Sequence, residues 1–127
     1  MVDNQAIRVL TVDDSRTMQG MLRKVLGDAG YDVIQGGDGV EGLEALQQAN
    51  PAPQAIITDI NMPRMDGFQF IEAVRGIEAF AHLPIICLTT EIDEEKKQRA
   101  RSLGATGWIA KPFSAEKLVW AIKRVTA

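Results

Sequence analysis

The stretch that most constrains this chain is LPIICLTT, from Leu83 to Thr90. Its four consecutive apolar residues, Ile85-Ile86-Cys87-Leu88, leave no polar face, so a strand made of them must be buried on both sides. Burial on both sides is the condition of a strand inside a parallel sheet. Parallel neighbours cannot be joined by a tight hairpin; each needs a crossover, and helices usually supply it. A chain containing this strand should therefore alternate strand and helix.

The remaining periodicities meet that demand. IRVLTV (7–12) reads as the first strand. Met18, Met21, Leu22, Val25 and Leu26 then recur at the spacing of one helical face, and Gly30 closes that helix. YDVIQ (31–35) is the second strand. GGDG (36–39) reads as a turn, without the spacing of a phosphate-binding loop. Val40, Leu43, Leu46 and Ala49 mark a second helix, stopped by NPAP. The third strand is Gln54–Thr58, and the turn NMPRMDG leads into a third helix carrying Phe70, Ile71 and Val74. After the LPIICLTT strand comes a charged helix, EIDEEKKQRARSL, with only Ile92, Ala100 and Leu103 as apolar anchors. Such weak anchoring predicts a segment of low local stability. TGWIA gives a fifth strand, and a fifth helix runs from Ser114 to Val125. Five strand–helix pairs with short turns predict one doubly wound α/β domain over residues 1–127.

Composition narrows the function. A chain of 127 residues suits a single compact core, and 46% hydrophobic content argues against disorder. A net charge of −3 with both signs interspersed argues against a general nucleic-acid binder. The one cysteine, Cys87, cannot form an intrachain disulfide and reads as core. The one histidine, His82, precedes Pro84 in a loop and reads as structural or solvated. No apolar run approaches the roughly 20 residues of a membrane span, and MVDNQAIRVL lacks the regions of a signal peptide. A cytoplasmic protein without nucleic-acid or membrane partners is expected.

In open parallel α/β sheets, ligands bind beyond the carboxyl ends of the strands. Here those ends carry Asp13-Asp14, Asp59, Thr89-Thr90 and Lys111-Pro112. Like charges ~4 Å apart repel by roughly 4 kcal/mol at an effective dielectric of about 20, so three converging carboxylates need compensation. Lys111 offsets one charge. The others call for a divalent cation or a raised pKa, and oxygen donors without His or Cys favour a hard ion such as Mg²⁺ over zinc. Aspartates with a cation, a lysine and a hydroxyl suit phosphoryl chemistry. A carboxylate can itself be the nucleophile, and Asp59, which stands alone, is the best candidate.

These motifs together, VDDS, TDINMPRMDG around Asp59, LTTE and KPF, resemble the receiver domains of two-component response regulators over nearly the whole chain. With no appended output domain, the chain is most similar to single-domain, chemotaxis-type (CheY-like) receivers. The resemblance implies a flavodoxin-like three-layer sandwich with strand order 2-1-3-4-5. That order is taken from the family, whose chemotaxis member is a standing example of it, and not from these residues. It implies that Asp59 accepts a phosphoryl group from the histidine of a partner kinase. Asp13, Asp14, Asp59 and the backbone carbonyl of Asn61 would gather Mg²⁺. Lys111 and Thr89 would contact the phosphoryl group, and Lys111-Pro112 would be cis. Asn61 and Glu91 would tune hydrolysis, giving a phosphoryl lifetime of seconds to minutes. Trp108 stands at the aromatic switch position, where Tyr or Phe is common, and its larger indole puts a full inward rotation in question. Thr90 stands where Ala or Gly is common and would narrow access for small phosphodonors. A monomer is expected, acting on an output protein such as the flagellar motor switch, or else as a phosphate sink or adaptor in another pathway.

Trp120 adds a feature drawn from the residues themselves. On the fifth helix it points about 200° round from Leu118, away from the face shared by Leu118, Ile122 and Val125. An exposed tryptophan there suggests a binding anchor. In related receivers the fourth helix, fifth strand and fifth helix form the docking face, to which Trp108 and Trp120 would both belong.

Three other readings weigh less. A phosphohydrolase with an aspartate nucleophile usually places a second acid two residues on, where this chain has Asn61. A flavin or nucleotide binder would meet repulsion from Asp13 and Asp14, and no G-x-G-x-x-G follows the first strand. A degenerate receiver used only for docking would not need the complete acid set.

Overall fold

The computed structural model describes residues 6–91 and 93–127. The elements run β1 (Arg8–Val12), α1 (Arg16–Asp28), β2 (Asp32–Gly36), α2 (Gly39–Gln48), β3 (Ala55–Thr58), α3 (Gly67–Arg75), a 3-10 turn (Glu78–Phe80), β4 (Ile85–Thr89), α4 (Glu94–Leu103), β5 (Gly107–Ala110) and α5 (Ala115–Thr126). The five strands form one parallel sheet in the order 2-1-3-4-5. Every residue of β3 and β4 is buried, as their unbroken apolar runs require.

The sheet divides the interior in two because successive strand residues point to opposite faces. Ile56, Ile85 and Cys87 join Leu46, Phe70, Ile71, Val74 and Ala100 on the side covered by α2, α3 and α4. Ile57, Ile86 and Leu88 join Leu22, Leu26, Leu118 and Ile122 on the side covered by α1 and α5. The helices start on side-chain caps: Ser15, Asp38, Asp66, Asp93 and Ser114 each accept a hydrogen bond from a backbone N–H of the first turn.

Met21 departs from expectation. It was placed on the core face of α1, yet it is 47% exposed. Leu22 and Leu26 are the buried residues of α1, and at about 100° per residue Met21 lies some 120° round from the line midway between them. It faces a groove between α1 and α5 instead, together with Val25, Val119 and Trp120. Ile92, expected to anchor α4, lies outside the described residues. Within α4, Ala100 is buried and Leu103 half-buried, and the Arg99 guanidinium stacks 4.2 Å from the centre of the Phe68 ring. Two X-Pro bonds are cis: Lys111-Pro112, as the resemblance implied, and Asn50-Pro51, which was not anticipated.

The turn between Asp59 and α3 closes tightly. The Gly67 N–H donates to the Ile60 carbonyl at 2.8 Å, and a Cβ on Gly67 would meet the Asp59 carbonyl oxygen and lie 2.7 Å from Ile60 Cα. These are backbone atoms that cannot step aside, so Gly67→Ala is expected to cost about 1–3 kcal/mol, as overpacking does. Gly20, inside α1 with nothing near the added methyl, is the contrast: Gly20→Ala should stabilise by roughly 0.5–1 kcal/mol. Urea unfolding of the two variants checks both signs.

Candidate functional site

The sheet register brings the strand ends to one edge. Val12 pairs with Thr58, Thr58 with Cys87, and Thr89 with Ala110. Two further backbone bonds carry the alignment past the strands: Asp59 N–H donates to the Val12 carbonyl at 2.9 Å, and Lys111 N–H to the Thr89 carbonyl at 2.9 Å. Asp13, Asp59, Thr89 and Lys111 are therefore neighbours because the ladder sets them there.

One ammonium joins the acids. Lys111 Nζ donates to Asp13 Oδ2 at 2.9 Å and to Asp59 Oδ2 at 3.0 Å. The other oxygens are held as well: Asp13 Oδ1 accepts from Ser15 N–H, and Asp59 Oδ1 from Ile60 N–H. Asp14 completes the group, and one carboxylate oxygen from each of Asp13, Asp14 and Asp59 lies within 4.8 Å of the others. Ser15 caps α1, so Asp14 is not needed for that role. Three hard oxygen donors, with no His or Cys among them, form a set that suits a hard divalent cation.

The charges are unequal, and the titration directions follow. Burial of Asp13, 2% exposed, raises its carboxyl above the usual range, a push that Lys111 and the Ser15 N–H only partly oppose. At Lys111 burial acts to lower the pKa, but hydrogen bonds and attraction from Asp13 and Asp59 outweigh it and hold the amine above its ordinary value. Three carboxylates, those of Asp13, Asp14 and Asp59, stand here against the one lysine that touches two of them. Burial also pushes the Cys87 thiol up to about 12, in keeping with a core residue.

Around this centre, Thr89 is fully buried, and its Oγ1 accepts the Glu91 N–H at 3.2 Å. Asn61 Nδ2 donates to Glu91 Oε1 at 2.8 Å, linking the loop after β3 to the loop after β4. Thr90 is exposed. Trp108 is half-buried against the core on the α3–α4 side. Trp120 is 61% exposed, with the Arg124 guanidinium 5.0 Å from its ring centre. Both indoles line one cavity of about 240 Å³ with Lys117 and Arg124, so they share a face.

Sequence reasoning missed the back of the site. GGDG contains more than a turn: its Asp38 caps α2 and takes two hydrogen bonds from Arg64, at 2.7 and 3.2 Å. Arg64 sits at φ 64°, the left-handed region uncommon for a side chain, and this clamp fixes the loop that leaves Asp59. Arg64 holds the Asp38 carboxyl below its usual range. The Asp before a helical pattern was a legible cap signal; its pairing with Arg64, 26 residues away, was not.

Lys111→Met would leave two carboxylates facing one another, and a loss on the order of 2–3 kcal/mol at pH 7 is expected. Protonation of Asp13 relieves that repulsion. Since its folded pKa is already raised, the native state takes up the proton first, and the deficit relative to wild type should shrink as pH falls toward that raised value. Denaturant unfolding of both proteins from pH 7 to pH 4 measures the gap, and a gap that widened on acidification would count against this arrangement.

Comparison with known proteins agrees with the geometry. The response regulator receiver domain family matches residues 9–123. The chain is 38% identical over 113 residues to the chemotaxis protein CheY1 of Helicobacter pylori, covering 88% of this chain and 90% of that protein. It is 39% identical over 116 residues, 91% of its length, to the sensor histidine kinase CheAY of the same organism, of which it spans only 14%. A solved structure of the chemotaxis protein CheY4 of Vibrio cholerae superposes with a TM-score of 0.90 at 45% identity, covering 95% of this chain and 99% of that one.

Proposed function

This chain belongs to the response regulator receiver family, and from that premise we propose that it is a phosphorylation switch with Asp59 as phosphoacceptor. The observation that carries the reading is the Lys111 bridge between Asp13 and Asp59 beside Asp14. Receiver domains bind Mg²⁺ at an acidic pocket. Here Asp13, Asp14, Asp59 and the Asn61 carbonyl would hold it, and when bound it supplies positive charge to phosphoryl oxygens.

The transfer itself falls to the protein's own groups. An Asp59 carboxylate oxygen attacks the phosphorus of a phosphohistidine on a partner kinase. A P–O bond forms, the P–N bond breaks, and the departing imidazole takes a proton. Lys111, now bonded to the bare carboxylate, turns to a phosphoryl oxygen. The Thr89 hydroxyl donates to another, and the Glu91 N–H that it now accepts is released. Movement at Thr89 reaches Trp108 through the adjoining strand and α4 through the Glu91 loop. Such a modification shifts a population because its new oxygens bond one conformation better than the other. Asp59 is thus a self-dephosphorylating acceptor, with no separate substrate turned over.

The output face in this reading is α4–β5–α5, with Trp108 and Trp120 at its centre. The chemotaxis relatives, and the match within a sensor histidine kinase, favour a histidine kinase as donor; in this reading the exchange is cytoplasmic and the recipient is a flagellar motor switch or another signalling protein. No helix among the described residues is long and apolar enough to cross a membrane. A single domain acting as a monomer fits this role.

Two outcomes follow. Phosphoryl uptake from a phosphorylated kinase domain, followed by Phos-tag electrophoresis, should fall to background for Asp59→Asn and after chelation of Mg²⁺. Unimpaired uptake by that variant would reject Asp59 as the acceptor. Trp120→Ala should weaken binding of the activated protein to its motor-switch partner by roughly tenfold while uptake continues, the loss typical of an aromatic anchor. Isothermal titration with beryllofluoride-activated protein measures it.

A further inference from the structure

Lys96 has no part in the transfer described above, yet it holds a residue beside the site. It lies in the first turn of α4, and its Nζ stands 3.1 Å from Glu91 Oε2. Glu91 is thereby held from three directions. Its N–H donates to Thr89 Oγ1 at the end of β4, its Oε1 accepts from Asn61 after β3, and its Oε2 pairs with Lys96 on α4. Both carboxylate oxygens are engaged, and the side chain is 24% exposed. Asn61 follows Asp59 by two residues and Glu91 follows Thr89 by two, in the loops beyond the ends of neighbouring strands β3 and β4. The Asn61–Glu91 bond therefore bars the gap between the two loops that follow Asp59 and Thr89. A partly exposed carboxylate tied to a single neutral amide would exchange readily with water. The ion pair to Lys96 restricts it to the barred position.

We propose that Lys96 is a positioning residue for the hydrolysis of the aspartyl phosphate, acting through Glu91 and Asn61; this rests on Asp59 being the phosphoacceptor. In hydrolysis a water oxygen attacks phosphorus opposite the Asp59 oxygen. The P–O bond to Asp59 breaks, the carboxylate departs with the bonding pair, and both water protons end on dihydrogen phosphate. That water passes Asn61 and Glu91, the residues two beyond Asp59 and Thr89, so the bond between them slows it. Because Lys96 belongs to α4, a partner that grips the start of that helix would also reach the phosphoryl lifetime. Lys96 touches neither Asp59 nor the carboxylate cluster directly, so its effect passes entirely through Glu91.

The test measures loss of the phosphoryl group in wild type, Lys96→Gln, Lys96→Arg, Glu91→Gln and the Lys96→Gln/Glu91→Gln double variant. Lys96→Gln should shorten the lifetime roughly two- to fivefold, the range open to an ion pair of this exposure. Lys96→Arg should restore it, and Lys96→Gln should change nothing once Glu91 is Gln. A second readout needs no phosphoryl group: NMR exchange of the Asn61 side-chain amide protons should quicken in Lys96→Gln. Wild type that takes up no phosphoryl group would overturn the functional reading and this proposal with it. Uptake with a lifetime unchanged by Lys96→Gln, an equal effect in the Glu91→Gln background, or unaltered Asn61 exchange would overturn the role of Lys96 alone.

Discussion

The fold converges on one electrostatic contact, the Lys111 ammonium shared between the Asp13 and Asp59 carboxylates. Neither acid could sit at the edge of a buried sheet without it, since each is at most 9% exposed and an uncompensated buried charge is costly. The contact also joins three strands that are distant in sequence. The turn after β5 delivers the lysine, the ends of β1 and β3 deliver the acids, and the parallel register brings all three to one level. Because one positive charge faces three negative ones, the resting site is underneutralised. A site in that condition attracts a cation and responds when a phosphoryl group redistributes the charge.

From there the structure offers two routes outward. Thr89 is buried at the end of a fully buried strand, so its hydroxyl can move only at the expense of the Glu91 N–H bond it now accepts. One route leads through Glu91 to Asn61 and to α4; the other crosses to β5, where Trp108 pairs in register with Cys87. Among the described residues, helix α4 rests on few contacts: Ala100, Leu103, the stack of Arg99 on Phe68 and the Lys96–Glu91 ion pair at its start. A helix held so lightly can be displaced by a change of a few contacts, which is what a switch requires.

Much of this was legible in the sequence because the signals were local. Ile85 to Leu88 could only be a two-sided buried strand, and the acids stood where the apolar runs stopped. The strand order was not legible, since periodicity says which face is buried and not which strand lies alongside. Met21 misled because the spacing of α1 admits a broad apolar arc, and the structure buries only the part centred on Leu22 and Leu26. Arg64 with Asp38, and Lys96 with Glu91, were invisible for a different reason. Each pairing depends on how far a flexible side chain reaches from its own segment to another, which spacing along the chain does not report.

The most direct measurement is a crystal structure of the protein with beryllofluoride and Mg²⁺. The account predicts beryllium bonded to an Asp59 carboxylate oxygen, the metal against Asp13 and Asp14, and fluorine contacts from Thr89 and Lys111. Beryllofluoride bound elsewhere, or a metal that leaves Asp13 and Asp14 untouched, would contradict it.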